Sequence, residues 1–365
     1  MVAGGWTGLA LVAGVSTAAP DPDVLAAAWS DYVRVSVHKS GRVIDHKGGQ
    51  ITTSEGQAYG MLRAVWIDDR ATFERIDQWT VRHLQAGDPT ALPAWKHGRK
   101  RWRRGVLDPQ SATDADILIA WSLLLAAERW DEPRYASRAK ALVGTIWDTD
   151  VHRVGDRLVL LPGPWAADAR PLRLNPSYFM PFAMRAFATV DPAHEWTTLI
   201  DDGYAILAEC TQGGLAPDWL YLDPQTGARV PAPEPAHELH GFESMRLPFM
   251  LAAEVQWFDE PRARALLAPY TAWQAHYAAH GWLPALAHAD GSAAADYPHL
   301  ALYGALLPAW AIDSPGAAEQ LYTATIAPTR GRDGWADDRD YYAQNWVWFG
   351  LALWTGLASP PELTP

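Results

Sequence analysis

Apolar residues recur along the chain in long stretches separated by amphipathic ones. From Ser54 onward, Ala58, Met61, Leu62, Val65 and Trp66 fall on one helical face. A second stretch begins at Thr113-Asp114 and runs apolar nearly all round from Ile117 to Ala127, which predicts a helix buried on every side. Comparable stretches begin near Pro176, Glu243, Pro298 and Tyr341. The six starts, at 54, 113, 176, 243, 298 and 341, lie 43 to 67 residues apart. More polar, amphipathic helices are expected between them over 70–85, 132–147, 195–210 and 260–279. Strand-like alternation is scarce, and Arg157 to Leu161 is its best case, a hairpin arm. The pattern predicts an all-α toroid in which six inner helices are ringed by six outer ones. A two-layer solenoid uses similar repeats, but its interior helices need not be apolar all round.

Local signals mark several starts. Asp21-Pro22-Asp23 combines an N-cap, a Pro at the first helical position and an early acid. Ser54 and Gln57 have the spacing of a capping box. Inner helices of a toroid run the same way, so their N-terminal ends meet at one rim. Glu55, Asp114, Tyr178, Glu243 and Tyr341-Tyr342 stand at those ends. Carboxylates and aromatics gathered on one rim fit a cleft that hydrolyses glycosides.

Composition narrows the reading. The length of 365 residues allows one to three domains, and the patterning favours one over 21–365. A single cysteine, Cys210, excludes an internal disulfide framework and any multi-cysteine metal site. A net charge of −12 is a poor match for nucleic acid. The 20 Trp are unusual; flat aromatics stack on the apolar faces of sugar rings, though they also fill cores. Residues 1–20 carry no charged side chain and end in small residues. They read as the core and tail of a secretory signal without its basic start, or else as an N-terminal arm. A secreted or periplasmic protein without a membrane span is expected.

The sharpest motif is Thr52-Thr53-Ser54-Glu55-Gly56-Gln57-Ala58-Tyr59-Gly60-Met61. With Gly41-Arg42-Val43-Ile44-Asp45, Leu92-Pro93-Ala94-Trp95 and Ser111-Ala112-Thr113-Asp114-Ala115-Asp116, it resembles glycoside hydrolase family 8. The resemblance is closest to the endo-β-1,4-glucanases found with bacterial cellulose synthases. Asn175-Pro176-Ser177-Tyr178, Ala216-Pro217-Asp218-Trp219 and Tyr341-Tyr342 continue it in order, from about 29 to 355. The resemblance implies an (α/α)6 barrel, an inverting mechanism, no cofactor, a β-glucan substrate and a monomer. It also brings in a cellulose synthase complex as a partner.

By the same resemblance Glu55 is the general acid, and Asp114 supports the distorted sugar at the −1 subsite. A plain helix-capping role is the bland alternative for each. Asp116 is the next choice to Asp114, or an ordinary first-turn acid. Gly241-Phe242-Glu243-Ser244-Met245-Arg246 aligns with a segment whose Asp is the family's general base. Here that position is Glu243, roughly 1.5 Å longer in reach, which could crowd the attacking water. Arg246 would orient the base or a sugar hydroxyl, or form a simple i,i+3 ion pair with Glu243. Trp95, Trp165, Tyr178 and Tyr342 match aromatic positions lining the cleft.

Other features are set aside. The basic run Lys96, Arg99, Lys100, Arg101, Arg103 and Arg104 reads as a solvated loop. His237 and His240 lack the spacing of a zinc helix, and Cys210 reads as a small core residue. Chitosanase, lichenan-degrading and xylan-acting enzymes are alternative members of the same family. A non-catalytic glucan-binding relative is the rival from another class. Sugar epimerisation on an α/α toroid would need an acid–base His near the cleft, and no motif places one. Should Glu243 not serve as base, Asp218 and Glu238 are the next candidates.

Overall fold

The computed structural model describes residues 22–362. The expected targeting segment and the N-cap at Asp21 lie outside the described residues. In chain order the first elements are α1 (Pro22–Ser36), β1 (Thr52–Thr53), α2 (Ser54–Trp66), α3 (Arg70–His83), β2 (Lys96–Lys100) and β3 (Arg103–Asp108). Next come α4 (Thr113–Arg129), α5 (Pro133–Asp150), β4 (Val151–Val154), β5 (Arg157–Leu160), β6 (Leu172–Leu174), α6 (Pro181–Val190) and α7 (Trp196–Thr211). The last are β7 (Leu220–Leu222), α8 (Leu247–Phe258), α9 (Pro261–Leu266), α10 (Ala268–His280), α11 (Leu300–Asp313), α12 (Pro315–Leu321) and α13 (Tyr341–Trp354).

Helices α2, α4, α6, α8, α11 and α13 are buried on nearly every side, as their all-round apolar character requires. Each touches the next, and α13 touches α2, so the six close into a ring. The more polar helices pack outside: α3 on α2, α5 on α4, α7 on α6, α9 on α8, α12 on α11, and α1 on α13. The fold is an (α/α)6 barrel.

Departures from the expected boundaries have local causes. The starts expected near Pro176 and Glu243 open as 3₁₀ turns, Pro176–Tyr178 and Ser244–Arg246. The α-helices follow at Pro181 and Leu247. Proline has no N–H to give and suits the first turn, so Pro181 and Pro248 set where each helix proper begins. The helix expected over 260–279 divides at Leu267, just before Pro269. Helices α11 and α13 come too close for side chains. A Cβ on Gly350 would stand 1.9 Å from the Gly304 carbonyl oxygen.

Strands only trim the barrel. β4 and β5 form the expected hairpin arm. β1, β2 and β3 make a three-stranded antiparallel sheet. β6 pairs with β7, with Leu174 opposite Leu220. That register brings Asn175 and the Asp218-Trp219 pair to the same end of the ladder.

Charged side chains are buried in the barrel wall, among them Glu254 on α8 and Arg63 on α2. Arg63 on α2 is fully buried. Its guanidinium lies over the rings of Tyr32 (4.3 Å), Trp348 (4.9 Å) and Trp29 (5.3 Å). It donates to Asn345 Oδ1 at 3.1 Å, and burial pushes its pKa down to about 9. Arg63→Ala should lower stability by about 3–5 kcal/mol, because it empties this aromatic box. Arg63→Met refills the volume and removes an unpaired buried charge, so it should lose much less. Denaturant melts of both variants check this; equal losses would show that the charge, not the volume, supports the box.

Candidate active site

The rim of the barrel is built from the first turns of its inner helices. Pairing of β1 with β2 holds Thr53 extended (φ −103°, ψ 153°). Thr53 therefore caps α2, accepting from the Gly56 N–H at 3.0 Å. This corrects the expected capping box of Ser54 and Gln57 by one residue. Gln57 is spent elsewhere: its Oε1 accepts from Val43 N at 2.6 Å and its Nε2 donates to Thr80 Oγ1 at 2.9 Å. The outcome is that Glu55 stands in the first turn of α2, on the rim.

Asp114 opens α4 but does not cap it. The preceding extended residue is Ala112, which has no capping group. The carboxylate of Asp114 accepts from Ala115 N at 2.8 Å and, on its other oxygen, from Arg246 Nη1 at 3.0 Å.

Glu243 and Arg246 are presented by a tight knot. One oxygen of Asp218 accepts from the amides of Gly241, Glu243 and Ser244 and from the Ser244 hydroxyl, at 2.8 to 3.1 Å. Only glycine fits at 241, because a Cβ there would stand 2.7 Å from Asp218 Oδ2. The knot turns both side chains into the cleft.

Arg246 is the hub. Its Nη1 donates to Glu55 Oε2 at 2.9 Å and to Asp114 Oδ2. Its Nη2 donates to Glu243 Oε2, and its Nε to Ser177 Oγ at 3.1 Å. The ring of Tyr178 lies 5.3 Å from the guanidinium carbon. Thus three carboxylates share one guanidinium, including the i,i+3 pair foreseen as the bland reading. Glu55 and Glu243 oxygens on adjacent nitrogens lie within roughly 8 Å of one another, the sum of two hydrogen bonds and the guanidinium's width.

Fully ionised, this cluster would carry two excess negative charges. The rim's helix N-termini favour anions, but burial opposes ionisation and dominates. Burial, offset by Arg246 and reinforced by Asp114 and Glu243, raises the Glu55 pKa to about 7. Asp114 is raised as well, again chiefly by burial. Tyr341 donates to Glu55 Oε1 at 2.7 Å and fixes the carboxyl's orientation.

Glu243 is the most open of the three, with a third of its side chain exposed. Asn175 Nδ2 donates to the same Oε2 that Arg246 holds, at 2.9 Å. Its Oε1 accepts no hydrogen bond from the described residues. One oxygen is anchored and the other is left free of them.

Trp95, Trp165 and Tyr178 line one open cavity of about 510 Å³ together with Ser111, Arg173 and Trp219. That volume suits a ligand cleft. Tyr342 lies outside that lining, its hydroxyl donating to the Phe242 carbonyl at 2.5 Å. Of the eight residues singled out from the sequence, Trp95, Trp165 and Tyr178 line this cavity, and Tyr178 also lies against Arg246, which holds Glu55, Asp114 and Glu243. Three others bond to the carboxylate cluster or its supporting turn: Asn175 was not singled out from the sequence, Tyr341 was placed only on the rim, and Asp218 was named only as a fallback base. All three stood inside quoted motif segments, which was the available signal.

The remaining sequence features fall elsewhere. Glu238 pairs with Arg229 and with Ala232 N, outside the carboxylate cluster. Asp116 is fully buried with neither oxygen hydrogen-bonded, and burial with the nearby Asp150 and Asp114 pushes its pKa far up. His237 meets the Tyr221 hydroxyl at 2.7 Å, whereas His240 is buried against Ala216 O and Ser244 Oγ. The Cys210 thiol is buried and its pKa raised to about 11.

Comparison with known proteins identifies the family and the fold. The family profile described as Glycosyl hydrolases family 8 matches residues 2–311. An endoglucanase of Escherichia coli K12 is 35% identical over 246 residues, covering 66% of this chain and 65% of that protein. The chain thus spans slightly under two thirds of that relative's length. An endoglucanase of Cellulomonas uda is 35% identical over 253 residues, 68% of each chain. Among solved structures, the endo-1,4-D-glucanase of Vibrio fischeri ES114 superimposes with a TM-score of 0.79 at 27% identity. It covers 90% of this chain and 94% of its own. Among the described residues, no helix is long and apolar enough to cross a membrane.

Proposed function

Because the chain belongs to glycosyl hydrolase family 8, we propose that it is an endo-acting β-1,4-glucanase that cleaves with inversion. The observation that carries this reading is the hub: Arg246 holds Glu55, Asp114 and Glu243 together beside an aromatic-lined cleft.

In this mechanism protonated Glu55 donates to the glycosidic oxygen as the bond to the anomeric carbon breaks. Asp114 supports the sugar ring as positive charge develops. Glu243 takes a proton from a water on the opposite face, through its free Oε1, and that water adds to the anomeric carbon. Inverting pairs stand about 6.5–9.5 Å apart, and the reach across the shared guanidinium is compatible with that. The knot around Asp218 keeps Glu243 in place, so Asp218 is a positioning residue in this account and not the base. Trp95, Trp165, Tyr178 and Tyr342 stack on sugar rings or bond their hydroxyls. An extracellular or periplasmic site of action follows from a polysaccharide substrate.

Two measurements test this. Proton NMR of the first products from a soluble β-1,4-glucan should show the α-anomer before mutarotation; an initial β-anomer would overturn inversion. The pH profile of kcat/KM should fall on its alkaline side with a midpoint near 7. Glu55 must keep its proton to act, and burial raises its pKa to about 7. Activity should thus hold below that value and drop about tenfold per unit well above it. A profile flat to pH 9 would contradict Glu55 as the acid.

A further inference from the structure

The β2–β3 hairpin is unlike the rest of the surface. Arg99, Lys100, Arg101, Arg103 and Arg104 are all exposed, on a chain whose net charge is −12. Several exposed arginines elsewhere pair with carboxylates, as Arg34, Arg134, Arg153 and Arg262 do, while Arg75, Arg82, Arg129, Arg170 and Arg339 are exposed singly along the chain. On the hairpin no cation has a carboxylate partner within 4.0 Å among the described residues. The register sets Arg99 opposite Arg104 and Lys100 opposite Arg103. Like charges directly opposite destabilise a ladder. The tip carries Trp102, which is 92% exposed.

Both ends of the hairpin are walls of the cleft. Trp95, just before β2, and Asp108 and Gln110, at the end of β3, line the same cavity. Lys96 lies over the Trp95 ring at 4.8 Å. Across that cavity Arg173 is stacked 3.5 Å from the Trp219 ring centroid. Its Nε is buried without a hydrogen-bond partner. Along β2 the cavity wall at Trp95 continues through Lys96 into the cationic arm.

We propose that the hairpin is an extension of the cleft that binds a β-glucan bearing acidic substituents, carboxylate or phosphate, with Trp102 offering a stacking face. The inference rests on the glucanase reading and adds the chemical class of the substrate. Continuity with the cleft favours a polysaccharide over a membrane surface.

The test is a binding titration at low salt with two soluble probes of one backbone, anionic carboxymethyl cellulose and neutral hydroxyethyl cellulose. It uses the full chain carrying Glu55→Gln, with and without Arg99→Gln, Lys100→Gln, Arg103→Gln and Arg104→Gln. These four side chains are exposed, and among the described residues only Arg104 reaches outside the hairpin, to the Gln50 carbonyl at 2.9 Å, so the fold should persist, and circular dichroism checks it. Removing them should weaken carboxymethyl cellulose binding at least about fivefold and flatten its salt dependence. Binding of hydroxyethyl cellulose should change less than twofold. Equal effects on both probes, or none, would overturn the proposal. So would loss of binding to vesicles of anionic phospholipid with the glucan affinities unchanged. Hydrolysis by the parent chain is scored separately on hydroxyethyl cellulose. Failure there would sink the glucanase reading while the binding comparison still decides the arm.

Discussion

Glu55→Gln should lower turnover on an unactivated β-1,4-glucan by at least about a hundredfold, the usual worth of a general acid. The amide is nearly the same shape as the acid it replaces. Its oxygen can still accept from Arg246 Nη1, and its NH₂ can meet the Tyr341 hydroxyl in place of the present bond. Melting temperature should therefore move little. What the amide cannot supply is a proton for the departing oxygen. A glucan chain leaves as a poor alkoxide, so it needs that proton. A dinitrophenyl leaving group does not. The variant's deficit should accordingly shrink by an order of magnitude or more on a dinitrophenyl cello-oligosaccharide. Near-normal turnover of the variant on the unactivated glucan would contradict the assignment. An equal loss on both substrates would point to binding or structure instead.

The barrel was legible in the sequence because burial on all sides forces residue choice. A segment such as Ile117 to Ala126 tolerates no polar face, so each inner helix betrays itself. Boundaries were less legible where proline and strand pairing compete with capping. Ser54 looked like a cap, but β1 claims Thr53 in extended form one residue earlier. The candidate acids and Arg246 were visible through motif resemblance. Their common hub was not, since Arg246 meets Glu55 across 191 residues and Asp114 across 132. Asn175 and Asp218 illustrate the same limit. Asp218 serves backbone amides 23 to 26 residues away, and nothing in local spacing announces such a clamp. Tyr341 reads as one more aromatic at a helix start until its hydroxyl is seen on Glu55.

The longer side chain at 243 is the feature on which the proposed mechanism turns. Glu243 spends its extra methylene reaching back to Arg246 and across to Asn175. In the proposed mechanism these contacts anchor one oxygen of Glu243 and leave the other to take a proton from water. Glu243→Gln should be reduced at least about a hundredfold, because an amide accepts no proton from water at neutral pH. Glu243→Asp keeps the chemistry and gives up roughly 1.5 Å of reach. It should stay within about tenfold of the parent, with the shortened carboxylate leaving room for the water. The most direct measurement is turnover of the parent chain, Glu243→Asp and Glu243→Gln side by side on hydroxyethyl cellulose, each paired with a glucan-binding titration. The account predicts a working parent, a working Asp variant and a nearly dead Gln variant, all three binding glucan alike. A parent that binds glucan without cleaving it, or a Gln variant that cleaves as the parent does, would contradict it.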